Sequence, residues 1–207
     1  MTPLLFIPKK IVLASASPRR KELLARMGLS FTVFPSNAEE NTEDMSTLPA
    51  ARQVCLLAGK KAEDAASRLQ HDCLVIGADT IVVKDGRKLG KPQNQEQAAA
   101  MLRFLGGGRH EVLTGVALID RKMNYRDTDC ERTLVEMMRL TDNEIKRYTD
   151  SGEYLDKAGG YAIQGLAAAF IPWIEGCYFN VVGLPVNLLY TMLKKYLLCA
   201  EGMEQGY

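Results

Sequence analysis

Histidine is nearly absent, with His71 and His110 the only two in 207 residues. A metal centre built from several imidazoles is therefore excluded. Cysteine is scarce and patternless: Cys55, Cys73, Cys130, Cys177 and Cys199 make an odd number, with no Cys-x-x-Cys pair. Such residues in apolar surroundings read as reduced core thiols of a cytoplasmic protein, not as a disulfide framework or a thiolate zinc site. A charge excess is missing too: 26 Lys and Arg oppose 25 Asp and Glu, for a net charge of +1. Stable nucleic-acid binding, which relies on a large basic excess to neutralise phosphates, is not expected. No apolar run approaches the ~20 residues that span a bilayer. Near the start, the short apolar stretch Pro3–Ile7 is followed rather than preceded by Lys9 and Lys10, so neither a membrane segment nor a signal peptide is expected. The Walker pattern Gly-x-x-x-x-Gly-Lys-Ser/Thr, the Gly-x-Gly-x-x-Gly fingerprint and the Gly-x-Ser-x-Gly elbow are all absent.

What remains is a globular composition, 47% hydrophobic, long enough for a sizeable core. Lys10–Ser15 reads as a buried strand, and Ser17-Pro18 as a helix start closed by Gly28. Phe31–Phe34 alternates like a strand, and 37–47 is polar loop. Val54, Leu57, Ala58, Ala62, Ala65 and Leu69 recur at helical spacing within Pro49–Leu69. Cys73–Val83 is β-branched and apolar but interrupted by Gly77-Ala78-Asp79-Thr80, and Asp85-Gly86 is a hairpin turn. A helix capped by Asn94 ends at Gly106-Gly107-Gly108, strands are expected over 111–119 and 128–139, and Thr141-Asp142-Asn143-Glu144 has capping-box form. Ala168–Ile174 is expected as a strand, and Pro185 opens an apolar final helix. Alternation of this kind gives a mixed α/β sheet with helices packed around it, in a single domain over 1–207 with its core at about 10–200.

Four clusters carry chemistry. Ser15-Ala16-Ser17-Pro18-Arg19-Arg20 places hydroxyls and guanidiniums at a helix N-terminus, which suits an anion; a capped helix with solvated arginines explains it equally. Asp79 is a carboxylate inside an apolar stretch, either a metal or base carboxylate at a sheet edge or a residue of a surface turn. Lys91 is held between Gly90 and Pro92, and Lys60-Lys61 lies on the long helix; both read by default as solvated lysines. Gln164 is a polar amide in the glycine-rich run 157–165, where backbone could approach a ligand closely.

Taken together these pieces resemble the Maf family of nucleotide pyrophosphatases. The matching segments are Leu13–Arg20, Glu39-Glu40, Lys61-Ala62, Gly77-Ala78-Asp79-Thr80, Gly90-Lys91-Pro92, Thr114-Gly115-Val116, Asp156–Gly159, Ile163-Gln164-Gly165 and Asn180–Pro185, in family order. The resemblance implies an elongated, two-lobed α/β fold akin to the inosine triphosphate pyrophosphatases, with a cleft, a divalent metal that is normally magnesium, and a homodimer. The implied reaction cleaves a nucleoside triphosphate to monophosphate and pyrophosphate, as nucleotide-pool house-cleaning. Ser15, Arg19, Arg20, Lys61 and Lys91 fall on phosphate-binding positions, with Lys61 and Lys91 also expected to assist catalysis beside Asp79. Thr80 is expected to contact substrate, Glu40 and Asp79 to hold the metal, and Gln164 to line the substrate pocket. Ile163-Gln164-Gly165 looks like the pyrimidine-cleaving branch, implying dTTP and UTP, with CTP open because an amide can flip. A purine or modified-nucleotide pyrophosphatase and a catalytically retired binding module are the alternatives. Tyr154 stands where the family often has Pro, and Cys177 where it often has Ser. Leu188, Met192 and Tyr196 on the final helix form a stripe that is either a dimer surface or core.

Overall fold

A computed structural model of the chain describes residues 4–38 and 47–204. Seven strands form one mixed sheet in the order β2-β1-β3-β5-β6-β7, with β4 paired to β3. They are β1 Lys10–Leu13, β2 Phe31–Val33, β3 Cys73–Lys84, β4 Arg87–Leu89, β5 Gly108–Asp120, β6 Tyr125–Met137 and β7 Trp173–Glu175. The helices are α1 Pro18–Arg26, α2 Ala50–Arg68, α3 Gln95–Leu105, α4 Asp142–Asp150, α5 Tyr178–Val182 and α6 Val186–Glu204. β1 runs parallel to β2 and to β3, whereas β4 returns antiparallel to β3 and β7 antiparallel to β6. Among the described residues no helix is long and apolar enough to cross a membrane.

The chain divides into two compact units. The first comprises Met1–Asp79, Thr114–Glu131 and Gly183–Tyr207. Its core sets Val12, Ala14, Val75, Ala117 and Ile119 of the strands against Ala58, Ala62, Ala65 and Ala66 of α2. The small side chains of α2 let it lie close to the sheet, and two glycines bring it closer. A Cβ on Gly77 would stand 2.2 Å from the Ala58 carbonyl oxygen, and one on Gly115 would stand 2.4 Å from the Val54 carbonyl. Both strand glycines are thus seats for the helix backbone. On α6, Leu189, Met192, Leu193 and Tyr196 are buried. The apolar stripe of the last helix is therefore core at Met192 and Tyr196, not a dimer surface. Tyr196 Oη donates to the buried Asp120 carboxylate at 2.8 Å, and Lys9 Nζ pairs with the same carboxylate.

The second unit comprises Thr80–Leu113 and Arg132–Val182. Val82, Leu89, Leu102, Leu105, Val112, Val135, Met137, Ile145, Tyr148 and Tyr161 make its core. Asp85 and Gly86 both have positive φ, 49° and 74°, as the two-residue turn between β3 and β4 requires. Asn94 caps α3 by accepting from Gln97 N–H at 2.9 Å, and Thr141 with Glu144 forms a complete capping box on α4. Tyr154 packs against this core, and the Cys177 backbone exchanges bonds with Thr133 Oγ1.

Three expectations need correction. β3 is one continuous strand of 12 residues, so Gly77-Ala78-Asp79-Thr80 does not break it and Asp79 is not in a surface turn; the pairing of β3 with β1 ends at Leu13 and Ile76, just before this segment. The expected strand over 168–174 is instead a 3-10 turn at Leu166–Phe170 followed by the three-residue β7. Ser17 occupies the N-cap position of α1, but its side chain makes no capping bond.

Candidate active site

The first unit assembles a charged pair on an apolar scaffold. Side chains alternate along β3, so Cys73, Val75, Gly77 and Asp79 share one face, the face on which α2 lies. Along α2 the stripe Val54, Leu57, Ala58, Ala62, Ala65 is buried, and Lys61 falls within it, three residues after Ala58 and one turn before Ala65. Lys61 therefore points at the sheet while Lys60 is exposed. Its Nζ donates to Asp79 Oδ1 at 2.6 Å, with side-chain exposures of only 11% and 13%. The reading of both lysines as a solvated face thus fails for Lys61. The tight seat of α2 at Gly77 sets this pair, because a helix pushed outward by a Cβ there would carry Lys61 away from the strand.

Beside it lies the turn from β1 into α1. β1 extends past its last strand residue, with Ala14 N–H donating to Ile76 O at 2.8 Å, and this delivers the buried Ser15 to the helix start. Ser15 Oγ accepts from Ser17 N–H and from Arg20 Nη1, each at 3.3 Å. Arg20 also donates through Nη1 to Ala78 O at 2.9 Å and through Nε to Gly183 O at 2.8 Å. Gly183 has φ 122°, a conformation closed to most side chains. Arg20 is thus a strut that ties the α1 N-terminus to the strand residue preceding Asp79 and to the entry of α6. Arg19, next to it, is partly exposed at the first turn of α1. The sequence pattern contains nothing that separates a strut arginine from a phosphate-binding one; the partners are 58 and 163 positions away.

Three further candidates, Lys91, Gln164 and Thr80, belong to the second unit. Lys91 is exposed in the loop after β4, and its neighbour Gly90 accepts through its carbonyl from Gly159 N–H at 2.9 Å. Gly159 and Gly160, both with φ above 70°, let the two glycine-rich loops meet. Gln164 is exposed between the buried Ile163 and the half-buried Gly165. Thr80 is the half-buried β3 residue that follows Asp79. Glu40 lies outside the described residues.

Among the described residues no group of three or more His, Cys, Asp or Glu side chains could hold a metal ion. Asp79, a hard oxygen donor whose carboxylate is held by one ammonium, does fit magnesium, which commonly takes one or two carboxylates and completes its shell with water and substrate phosphates.

Comparison with known proteins places these features in a group. The profile of the family described as Maf-like protein matches residues 10–196. A dTTP/UTP pyrophosphatase of Pelotomaculum thermopropionicum is 50% identical over 188 residues, covering 91% of this chain and 97% of that protein. One of the same name from Ruminiclostridium cellulolyticum is 47% identical over 187 residues, covering 90% and 96%. Among solved structures, a nucleoside-triphosphatase / dITP/XTP pyrophosphatase of Mycobacterium abscessus is similar with a TM-score of 0.41 and 15% identity, over 63% of this chain and 75% of that one.

Proposed function

The chain belongs to the Maf-like protein family, and on that premise we propose that it hydrolyses nucleoside triphosphates, chiefly dTTP and UTP, to the monophosphate and pyrophosphate. The observation that carries the reading is the convergence on β3: Lys61 bonds Asp79, and Arg20 bonds the carbonyl of Ala78 beside it. The turn proposed to bind the anion is thereby tied to the residue that precedes a buried carboxylate. The names of relatives 47–50% identical over nine-tenths of the chain support the substrate class.

In this reading Ser15 and Arg19 bind phosphate oxygens at the α1 N-terminus, where the helix dipole favours an anion. Arg20 keeps that turn in register with Asp79, and its bonds to carbonyls make positioning its first role. Asp79 orients, or takes a proton from, the water that attacks the α-phosphorus; Lys61 fixes the rotamer of that carboxylate through its hydrogen bond. Lys91 and Thr80 add a cation and a hydroxyl for the triphosphate, and Gln164 reads the base. A bound magnesium ion, held by Asp79 and Glu40, would offset charge developing on the phosphate oxygens. The whole of 1–207 acts as one catalytic domain, works in the cytoplasm as a homodimer and does not bind nucleic acid stably, as its net charge of +1 suggests.

The test is one reaction followed by chromatography: dTTP with magnesium should yield dTMP and pyrophosphate. A diphosphate and orthophosphate would refute attack at the α-phosphorus, full activity in EDTA would exclude the metal, and no hydrolysis of any nucleoside triphosphate would favour a binding module.

A further inference from the structure

Gln164 stands in the turn that leads into the 3-10 helix Leu166–Phe170. Immediately after it, Leu166 N–H donates to Glu153 Oε2 at 2.9 Å. The other carboxylate oxygen of Glu153, Oε1, accepts from Tyr148 Oη at 3.2 Å. Tyr148 is buried in the core of the second unit on α4, whose N-terminus is fixed by the capping box. The backbone of Glu153 is itself held: its N–H donates to Ser151 Oγ at 3.2 Å, and Ser151 Oγ–H donates to Tyr148 O at 2.6 Å. Gly165, between Gln164 and Leu166, lies so close that a Cβ there would come within 2.3 Å of the Glu153 carboxylate. The loop therefore rests on this carboxylate at two consecutive residues, one by a hydrogen bond and one by a close contact that a Cβ would break by displacing the carboxylate.

We infer that Glu153 is a positioning residue for substrate selection: its carboxylate locks residues 164–166 onto α4 and so fixes where the Gln164 amide is presented. The inference rests on the assignment of Gln164 as the residue that reads the base. A carboxylate suits the task because it accepts from a backbone N–H and a phenol simultaneously through two oxygens, with no donor to leave unmatched. Charge-assisted bonds of this kind are stronger than neutral ones and define orientation better. An amide displaced by about 1 Å loses discrimination, because selectivity arises from leaving the wrong partner's polar groups unpaired.

The experiment compares kcat and KM for dTTP and GTP in the wild-type protein, Glu153→Ala, Glu153→Gln, Gly165→Ala and Gln164→Ala, with thermal melts to establish folding. Glu153→Ala should lower kcat/KM for dTTP roughly tenfold, mainly through KM, and narrow the dTTP-to-GTP ratio by a similar factor. Glu153→Gln, which keeps an acceptor for Leu166 N–H, should restore most of both. Gly165→Ala should reproduce the Glu153→Ala effect, and combining the two should be no worse than either, since removing the carboxylate makes room for the Cβ. If Gln164→Ala narrows the ratio while folded Glu153→Ala and Gly165→Ala leave it intact, the positioning role is overturned and base reading by Gln164 stands. A drop in melting temperature with an unchanged ratio has the same meaning, a purely structural carboxylate. If Gln164→Ala leaves the ratio unchanged, the base-reading assignment falls and this inference falls with it.

Discussion

Lys61 Nζ and Asp79 Oδ1 lie 2.6 Å apart although 18 positions separate them, one on a helix and one on the strand beneath it. Both side chains are nearly withdrawn from solvent. A lone charge in either place would be costly, so each residue gives the other an opposite charge and a single geometry. A carboxylate oriented before substrate arrives avoids reorganisation during the reaction.

Asp79→Asn should therefore cost activity far more than structure. The amide oxygen can still accept from Lys61, so the protein should fold, with a loss of stability of about 1–3 kcal/mol from weakening a charged hydrogen bond. Turnover of dTTP should fall ~100-fold or more, typical of losing a main catalytic carboxylate. Near-normal kcat in a folded variant would remove Asp79 from the mechanism.

Gly77→Ala tests the scaffold under that pair. The added methyl would meet the Ala58 carbonyl oxygen at 2.2 Å and the Ala62 backbone nitrogen at 2.9 Å, atoms of a helix backbone that cannot step aside alone. Overpacking of this kind should destabilise by about 3 kcal/mol in urea melts. The surviving folded fraction should show reduced kcat, because α2 carries Lys61. Wild-type stability would show that α2 can shift as a body without penalty.

Much of this was legible beforehand. The strand–helix alternation, the hairpin at Asp85-Gly86 and the caps at Asn94 and Thr141 all appear where local chemistry places them. Lys61 was only half legible: its spacing from Ala58 and Ala65 puts it in the buried stripe, but a stripe made of alanine contrasts weakly with its surroundings. The continuity of β3 through Gly77 depends on where α2 seats, which no local pattern contains. Arg20 is tied to carbonyls far along the chain, so its role as a strut becomes visible only in three dimensions. Glu153 had no signal of its own beyond standing near a glycine turn, and the five-residue α5 is too short to show a period.

His110 gives a prediction about acid. It is buried in the second unit, with Nε2 2.7 Å from Tyr161 Oη and no hydrogen-bond partner for Nδ1. Burial, with a smaller push from the Lys84 charge, lowers its pKa from 6.5 to about 4. Because the folded value is depressed, the unfolded chain binds more protons between those limits. The neutral-histidine contribution is thus fully present above pH 6.5 and lost as pH falls toward 4. Between pH 7 and pH 5 the loss should be about 2 kcal/mol. The depressed carboxylate of Asp120 would be lost only at lower pH: burial raises its pKa, but bonds from Lys9, the Met123 N–H and Tyr196 outweigh that. His110→Gln should flatten the decline in urea midpoint between pH 7 and pH 5, and an unchanged slope would show that His110 is not its source.

The last prediction concerns the base. Thymine and uracil present a carbonyl beside an N3–H, and the Gln164 amide offers the matching donor and acceptor. A guanine edge presents donors that a carboxylate would receive better, so Gln164→Glu should lower kcat/KM for dTTP and UTP while raising relative use of GTP or 7-methyl-GTP. The loss for the pyrimidines should be on the order of 10²-fold, because the carboxylate supplies no donor and sets a negative charge against the base carbonyl. CTP should suffer less, since its exocyclic amine can donate to either oxygen. Comparing kcat/KM for the five nucleotides in wild-type and variant decides the point. A wild-type preference for either guanine nucleotide would end the pyrimidine assignment and leave the pyrophosphatase standing. A variant with an unchanged ranking would place Gln164 in the pocket wall rather than against the base.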